Sequence, residues 1–366
     1  MDVLAEANRL KAAGADVVSM AVGQPSDPAP QIVLEAARKA LRDGRVGYTD
    51  ALGTKALREA IARHYADHYR ADVSPDRIAV TTGSSAAFNL AFLAMFDAGD
   101  RVAITAPGYP AYRNILKALG LEVVEIPLGE EGYLTAEELL AAHKSKRLGG
   151  VLFASPANPT GAIVPEAELR RILETCDENG IAPISDEIYH RLNYSGPDIS
   201  ALSLAPETVV INSFSKYYCM TGWRIGWMVL PENLVRPVER IQQSLYISAP
   251  ELSQIAAAEA FAASEELNRV KDRYRASRDM LMTRLPDIGF RIAAPMDGAF
   301  YAYCDVSAHT NDSMDFARRM LAEAHVAATP GFDFDTAEGH RTMRLSYAGR
   351  VEDMAEAVTR IGRWLR

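Results

Sequence analysis

Cysteine is scarce in this sequence: Cys176, Cys219 and Cys304 are three in 366 residues, far apart and odd in number. That excludes a disulfide framework and suits a reducing compartment. No apolar run approaches the roughly 18 residues that a bilayer-spanning helix needs. Residues 1–11 mix Asp, Glu, Arg and Lys with apolar side chains, unlike a signal peptide. The expectation is a cytoplasmic protein with no membrane partner. Basic clusters are also lacking, beyond fragments such as Lys144-Ser145-Lys146-Arg147, and the net charge is −9. Nucleic acid, which is bound through clustered Lys and Arg, is therefore not an expected partner. His64 and His68 stand four apart but lack the adjacent Glu of a His-Glu-x-x-His pair, so they are expected to pack rather than bind metal. No metal site is expected, and there is no internal repeat or low-complexity linker.

What is present is a large core with a regular rhythm. Apolar residues make up 48% and charged ones 24%, as in globular proteins with room for two domains. Residues 32–43 and 54–69 have helical spacing. Short apolar runs follow at 78–80, 102–105, 123–126, 151–154, 181–184 and 209–211. Helix-like stretches at 85–95, 111–119 and 165–179 separate several of them. This alternation predicts an α/β fold with a mainly parallel sheet sandwiched by helices. From about residue 264 the rhythm changes to one long charged helix (265–285), a turn at 286–287, strands at 290–293 and 299–303, a helix at 313–324 and a strand at 343–347. The implied division is a large domain over 31–270 and a smaller α+β domain over 1–30 and 271–366.

In open α/β sheets ligands sit at the carboxyl ends of the strands, and here those ends carry chemistry. They read Thr81-Thr82-Gly83-Ser84-Ser85, Pro107-Gly108-Tyr109-Pro110, Ser155-Pro156-Ala157-Asn158-Pro159-Thr160-Gly161, Asp186-Glu187-Ile188-Tyr189 and Ser213-Phe214-Ser215-Lys216. Lys216 lies between two apolar segments, with Ser213 and Ser215 before it and Arg224 eight residues after. A buried lysine is costly unless its charge is paired or removed, and a Schiff base with an aldehyde cofactor removes it. Serines and an arginine are the groups that hold a phosphate beside such an imine. The residues thus read as a pyridoxal 5'-phosphate site.

The other strand ends have roles consistent with that reading, each with a plainer alternative. Asp186 would pair with the protonated pyridine nitrogen and keep the ring an electron sink, or would simply cap a turn. Tyr189 would bond the ring hydroxylate, or would be a packed aromatic. Asn158 would donate to the ring oxygen, although Asn-Pro-Thr-Gly alone is a turn signature. Ser84 and Ser85 open a helix whose free N–H groups bind anions. Tyr109 would stack on the ring. Arg344, inside an apolar strand, must be paired, either by a substrate α-carboxylate in bidentate fashion or by an internal acid.

These strings in this order resemble the class I/II aminotransferases, the aspartate aminotransferase-like fold-type I pyridoxal phosphate enzymes. The resemblance covers essentially the whole chain, from Val22-Gly23-Gln24-Pro25 and Tyr48-Thr49-Asp50-x-x-Gly53 through Gly298-Ala299-Phe300-Tyr301 and Pro330-Gly331-x-x-Phe334 to Arg344-Leu345-Ser346-Tyr347-Ala348. It implies that Lys216 is the Schiff-base lysine and proton shuttle, with Asp186 and Tyr189 as its catalytic companions. It implies that Ser84, Ser85, Ser213, Ser215 and Arg224 grip the phosphate, and that Asn158 and Arg344, near the Gly23 backbone, bind the substrate. Tyr48 would reach the phosphate of a neighbouring subunit, which implies a homodimer with shared sites.

The implied reaction is ping-pong transfer of an amino group between an L-amino acid and a 2-oxo acid. A C–S β-lyase or a decarboxylase on the same scaffold, and a ligand-sensing domain without catalysis, are the competing classes. The family usually has a longer N-terminal arm, so a short or trimmed arm is expected. Aspartate-specific relatives often carry a lysine where this chain has Ser85. Aromatic, aspartate-like and small neutral substrates all remain compatible with the sequence.

Overall fold

The computed structural model describes residues 2–366. The chain runs α1 (Asp2–Ala12), β1 (Val18–Ser19), α2 (Gln31–Arg42), α3 (Lys55–Tyr69), β2 (Ile78–Thr81), α4 (Ser84–Met95), β3 (Arg101–Ala106), α5 (Pro110–Ala118) and β4 (Glu122–Pro127). It continues through α6 (Ala136–Ser145), β5 (Gly150–Ala154), α7 (Glu166–Asn179), β6 (Ala182–Asp186), β7 (Val209–Ser213), β8 (Gly226–Val229), α8 (Glu232–Tyr246), α9 (Glu251–Ala260) and α10 (Ser264–Asp287). The remainder is β9 (Arg291–Ile292), β10 (Tyr301–Asp305), α11 (Ser313–Ala324), β11 (Val326–Ala327), β12 (Thr329–Pro330), β13 (Thr342–Ser346) and α12 (Val351–Trp364).

The central sheet has the order β2-β8-β7-β6-β5-β3-β4. Its pairs from β7 to β4 are parallel, as expected from the βα alternation, whereas β8 runs antiparallel to both β2 and β7. The physical reason is the connection. Residues 214–225 form turns and a single 3-10 turn instead of the helical crossover that a parallel return requires, and the chain doubles back. Strands β2, β7 and β8 are buried along their whole length, which is why they read as continuous apolar runs rather than as alternating ones.

This order brings the functional strand ends together. Ala154 pairs with Asp186, Asp186 with Ile211, and both Ser213 and Thr81 with Gly226. The carboxyl ends of β2, β3, β5, β6 and β7 therefore share one edge. Strand β3 lies between β4 and β5, so the strand order reverses there, and such a reversal opens a crevice.

A second, antiparallel sheet has the order β12-β13-β10-β9, and β1 pairs in parallel with β11. Residues near the start of the chain thus lie against its last third, with α10 packed on α12. Strand β10 starts at Tyr301 rather than at 299, because Ala299 has φ +56° and its N–H is taken by the Leu192 carbonyl. The long helix α10 continues through the turn expected at 286–287, with Pro286 in its last turn. His64 is buried, its ring 4.6 Å from that of His68, in packing contact as expected. Among the described residues no cluster of three or more metal-ligating side chains occurs, and no helix is long and apolar enough to cross a membrane.

Candidate active site

A cavity of about 320 Å³ lies at the shared strand edge, and its wall includes Gly23, Ser84, Ser85, Tyr109, Asn158 and Asp186. Tyr189, Ser215, Lys216, Arg224 and Arg344 complete the group expected from the sequence. Two expected residues are elsewhere. Ser213 sits behind the wall, its Oγ 2.9 Å from Ser215 Oγ and 3.0 Å from the Ile225 carbonyl, so its hydroxyl shapes the lysine loop. Tyr48 is 82% exposed on the surface of the single chain.

Lys216 follows β7 by three residues, and its Nζ donates to the Gly23 carbonyl at 2.6 Å. Burial, and then the nearby positive charge of Arg344, push this amine down to about 8, against the pull of Asp186. An amine with that property is partly unprotonated near neutrality and able to attack a carbonyl.

Asp186 ends β6 and is buried. Its Oδ1 accepts from the Ile188 N–H at 3.0 Å, and its Oδ2 accepts from the Tyr112 hydroxyl. The turn-capping role is thus present, and the carboxylate also lies on the cavity wall. Burial raises its carboxyl to about 6, with the adjacent Glu187 adding to the effect. No cation is in direct contact with Asp186 among the described residues. A protonated ring nitrogen placed against it would supply the missing countercharge.

At the end of β2, Gly83 precedes α4 with φ +82° and leaves the first turn of the helix without a side-chain cap. The left-handed φ favours glycine, and space requires it as well: a Cβ here would lie 2.5 Å from an Arg224 nitrogen. Arg224, itself at φ +51°, thus reaches over free N–H groups and the hydroxyls of Ser84, Ser85 and Ser215. Helix N-terminus, hydroxyls and guanidinium together form an anion cradle.

Arg344, in the middle of β13, is 7% exposed. Its Nη1 donates to Asn158 Oδ1 at 2.9 Å, and its Nη2 to the Ala21 carbonyl at 2.7 Å and to Thr329 Oγ1 at 3.3 Å. The guanidinium carbon lies 4.4 Å from the Tyr301 ring centre and 4.7 Å from that of Phe334. Its Nε is buried without a partner. No carboxylate pairs with it among the described residues, so the internal-acid alternative fails. A buried cation held by neutral acceptors and aromatic faces can take an anion that comes from outside.

Several wall residues were missed by the sequence reading. Tyr112 stands one helical turn from Tyr109 on α5, with ring centres 5.3 Å apart, and that i, i+3 spacing was the available signal. Tyr301 occurs in the Gly-Ala-Phe-Tyr string but had no assigned role. Its hydroxyl lies 2.7 Å from that of Tyr189, and a side chain on Gly23 would collide with it. Gly23 is thus required by close approach.

The cavity contains an anion cradle, a buried carboxylate short of a cation, a flanking aromatic at Tyr109 and an amine of lowered basicity. These groups fit pyridoxal 5'-phosphate part for part. The model for "Aminotransferase class I and II" matches residues 15–361. A valine–pyruvate aminotransferase of Mycobacterium tuberculosis is 49% identical over 100% of this chain and 95% of its own length. An aspartate/prephenate aminotransferase of Thermus thermophilus is 35% identical over 99% of this chain and 94% of its own. The crystal structure of an aminotransferase from Mycobacterium tuberculosis superposes with a TM-score of 0.96 at 48% identity, covering 100% of this chain and 95% of that one.

Proposed function

This chain belongs to the class I and II aminotransferases, and from that premise we propose that it moves an amino group between an L-amino acid with a neutral side chain and a 2-oxo acid. It is a pyridoxal phosphate-dependent enzyme with the fold-type I architecture. When bound, the cofactor supplies an aldehyde that condenses with amines and a cationic ring that accepts the electrons of the broken Cα–H bond.

The chain's own residues divide the remaining work. Ser84, Ser85, Ser215 and Arg224 would hold the phosphate, with Tyr109 against the ring, Asp186 at its nitrogen, and Asn158 and Tyr189 at its oxygen. Arg344 would orient the amino acid by its α-carboxylate. Lys216 Nζ would take the proton from the substrate Cα and deliver it again, since its lowered basicity suits a base and acid near neutral pH. The observation that carries this reading is the buried, acid-free guanidinium of Arg344 in the same cavity as the Lys216 amine.

The preference for a neutral side chain rests on the charges available. The cations on the cavity wall are Lys216, Arg224 and Arg344, and each already has a task. None of these three is left for a second carboxylate, and the relative at 49% identity is named for valine and pyruvate. The test is a panel of amino donors with pyruvate as acceptor, including initial-rate patterns. Valine and alanine should outrun aspartate and glutamate, with the parallel lines of a ping-pong reaction. A higher kcat/KM for aspartate would overturn the neutral preference.

We also propose a homodimer in the cytoplasm. Val46, Tyr48 and Ile247 are 65%, 82% and 45% exposed, and the bond from Thr49 N to Ser248 Oγ joins the two segments that carry them. Such an apolar patch suits burial against a second copy, with Tyr48 entering the partner's phosphate site. The three free cysteines are buried, as befits a reducing compartment. Sedimentation velocity should give twice the 40.0 kDa chain mass, and a monomer that retains full activity would refute the shared site.

A further inference from the structure

Tyr189 and Tyr301 present their hydroxyls to each other 2.7 Å apart, and both residues are buried. Neither hydroxyl has another hydrogen-bond partner among the described residues. A phenol pair at this distance holds one O–H···O bond, so one hydroxyl donates and the accepting one keeps its own proton for another acceptor. The asymmetry that decides the direction lies on the far side of Tyr301. The Arg344 guanidinium carbon covers its ring face at 4.4 Å. A cation there draws electron density out of the ring and makes that phenol the stronger donor. The distance alone lets either hydroxyl donate; the guanidinium favours Tyr301 as the donor, which leaves the Tyr189 proton for the cavity whose wall it forms. Hydrogen bonds in a chain polarise one another, so accepting from Tyr301 makes Tyr189 a better donor in turn.

We propose that Tyr301 is a positioning residue that carries the charge state of Arg344 to the Tyr189 hydroxyl, so that a carboxylate bound at Arg344 weakens the hydrogen bond Tyr189 offers to the cavity. This rests on the reading that Arg344 takes the substrate carboxylate and that pyridoxal phosphate occupies the cavity. The consequence is a built-in order of events. Until a carboxylate arrives, Tyr189 stabilises negative charge on the group it faces and keeps that group weakly basic. Once Arg344 is neutralised, the group holds its proton more tightly, at the moment when an amine has entered beside it.

Other charged or titratable groups also face Tyr189. The Lys216 amine lies 5.7 Å from its ring centre. Asp186 and Arg224 line the same cavity, Tyr109 approaches from the start of α5, and Arg344 also acts on it directly. Asn158, bonded to Arg344, is a second route from the guanidinium. Loss of the single hydroxyl at Tyr301 leaves all of these in place, which makes Tyr301→Phe the discriminating change.

The experiment uses the pyridoxal phosphate holoenzyme and reads the pH dependence of the visible absorption of the bound cofactor. It is run with and without 3-methylbutyrate, a carboxylate that carries no amine or oxo group. Tyr301→Phe should raise the ligand-free midpoint by about half a pH unit or more, the size of one hydrogen bond. It should also roughly halve the further rise that saturating 3-methylbutyrate causes in the wild type. Affinity for the carboxylate should stay within about threefold, because the ring still underlies Arg344. Tyr189→Phe should raise the midpoint as well, and adding Tyr301→Phe to it should give no further rise. An unchanged midpoint in Tyr301→Phe, or a full response to the carboxylate, overturns the inference. So does lost carboxylate affinity with a normal midpoint, which would make Tyr301 only a floor for Arg344. A wild-type holoenzyme without a pH-dependent band, or a Lys216→Ala protein that keeps it, would instead overturn the reading beneath.

Discussion

Nη1 of Arg344 lies 2.9 Å from Oδ1 of Asn158, so a guanidinium on β13 and an amide on the loop after β5 are joined across the cavity between two sheets. The pair sets the orientation of the fork that is proposed to take the substrate carboxylate. Replacing Asn158 with Ala removes a charge-assisted bond, and kcat/KM for the amino acid should fall about 10- to 100-fold. Arg344→Lys should fall at least as far, because a lysine cannot reproduce the planar fork. Steady-state kinetics on both variants check this, and an Asn158→Ala enzyme with wild-type kcat/KM would break the link.

Lys216 gives a second expectation, in kinetics and in pH. Lys216→Ala should lower kcat by about 10²- to 10⁴-fold or more, since the proposed proton carrier and covalent anchor are both lost. In the ligand-free protein the amine sits at about 8, and only its unprotonated form attacks an aldehyde. The rate at which apoenzyme takes up pyridoxal phosphate should therefore rise about tenfold per pH unit below 8 and level off above it. The positive charge of Arg344 contributes to the low value, so Arg344→Met should move that midpoint upward. Stopped-flow absorbance measures both.

Asp186 predicts a trade between stability and activity. Burial holds its carboxyl near 6 in the folded apoprotein, against the ordinary 3.8. Between those values the folded state binds more protons than the unfolded one, so this group's contribution falls as pH rises from about 4 to 6 and stays low above. Asp186→Asn should therefore stabilise the apoprotein at pH 7 by up to about 3 kcal/mol and lose that advantage near pH 4. Cofactor affinity and kcat should collapse in the same variant, because the proposed partner of the ring nitrogen is gone. Thermal melting of apo wild type and variant at the two pH values decides it; an equal difference at both would show that burial of the charge is not the cause.

Tyr112 holds the same carboxylate from α5. Tyr112→Phe removes a bond that lowers the Asp186 carboxyl, so its midpoint should rise further and pyridoxal phosphate should bind more weakly, most clearly above pH 6. Equilibrium dialysis across that range is the measurement.

Gly23→Ala tests the close approach at the cavity wall. The new methyl would strike the Tyr301 hydroxyl, and overpacking of this kind costs about 1–3 kcal/mol. The Gly23 carbonyl, which accepts from Lys216, would have to move as well. A fall in both melting temperature and kcat is expected, and normal values for both would contradict the contact.

Much of the site was legible because its chemistry sits at strand ends, where sequence rhythm and ligand position coincide. Asp186, Asn158, Lys216 and Tyr109 could each be placed on one edge from the sequence, since successive β-runs end close to them. Ser213 and Ser215 looked equivalent, yet only Ser215 faces the cavity, because the chain turns between them and the Ser213 hydroxyl is drawn to the Ile225 carbonyl. Tyr112 and Tyr301 were hidden for a different reason. Both sit in apolar surroundings on regular elements, where an aromatic reads as core, and their partners lie 74 and 112 residues away along the chain.

By itself, the sequence determined the class of fold, the edge of the sheet that carries chemistry, and the need for Lys216 and Arg344 to have their charges answered. Those are local matters: periodicity, strand-end residues and the cost of burying a cation. Only the tertiary structure decided how the charges are answered. Arg344 is met by an amide, a carbonyl, a hydroxyl and two aromatic faces rather than by an acid, and Tyr301 joins it to Tyr189. Such choices depend on which side chains the strand order brings within about 3–5 Å, the range in which hydrogen bonds and cation–π contacts act, and spacing along the chain does not encode that distance.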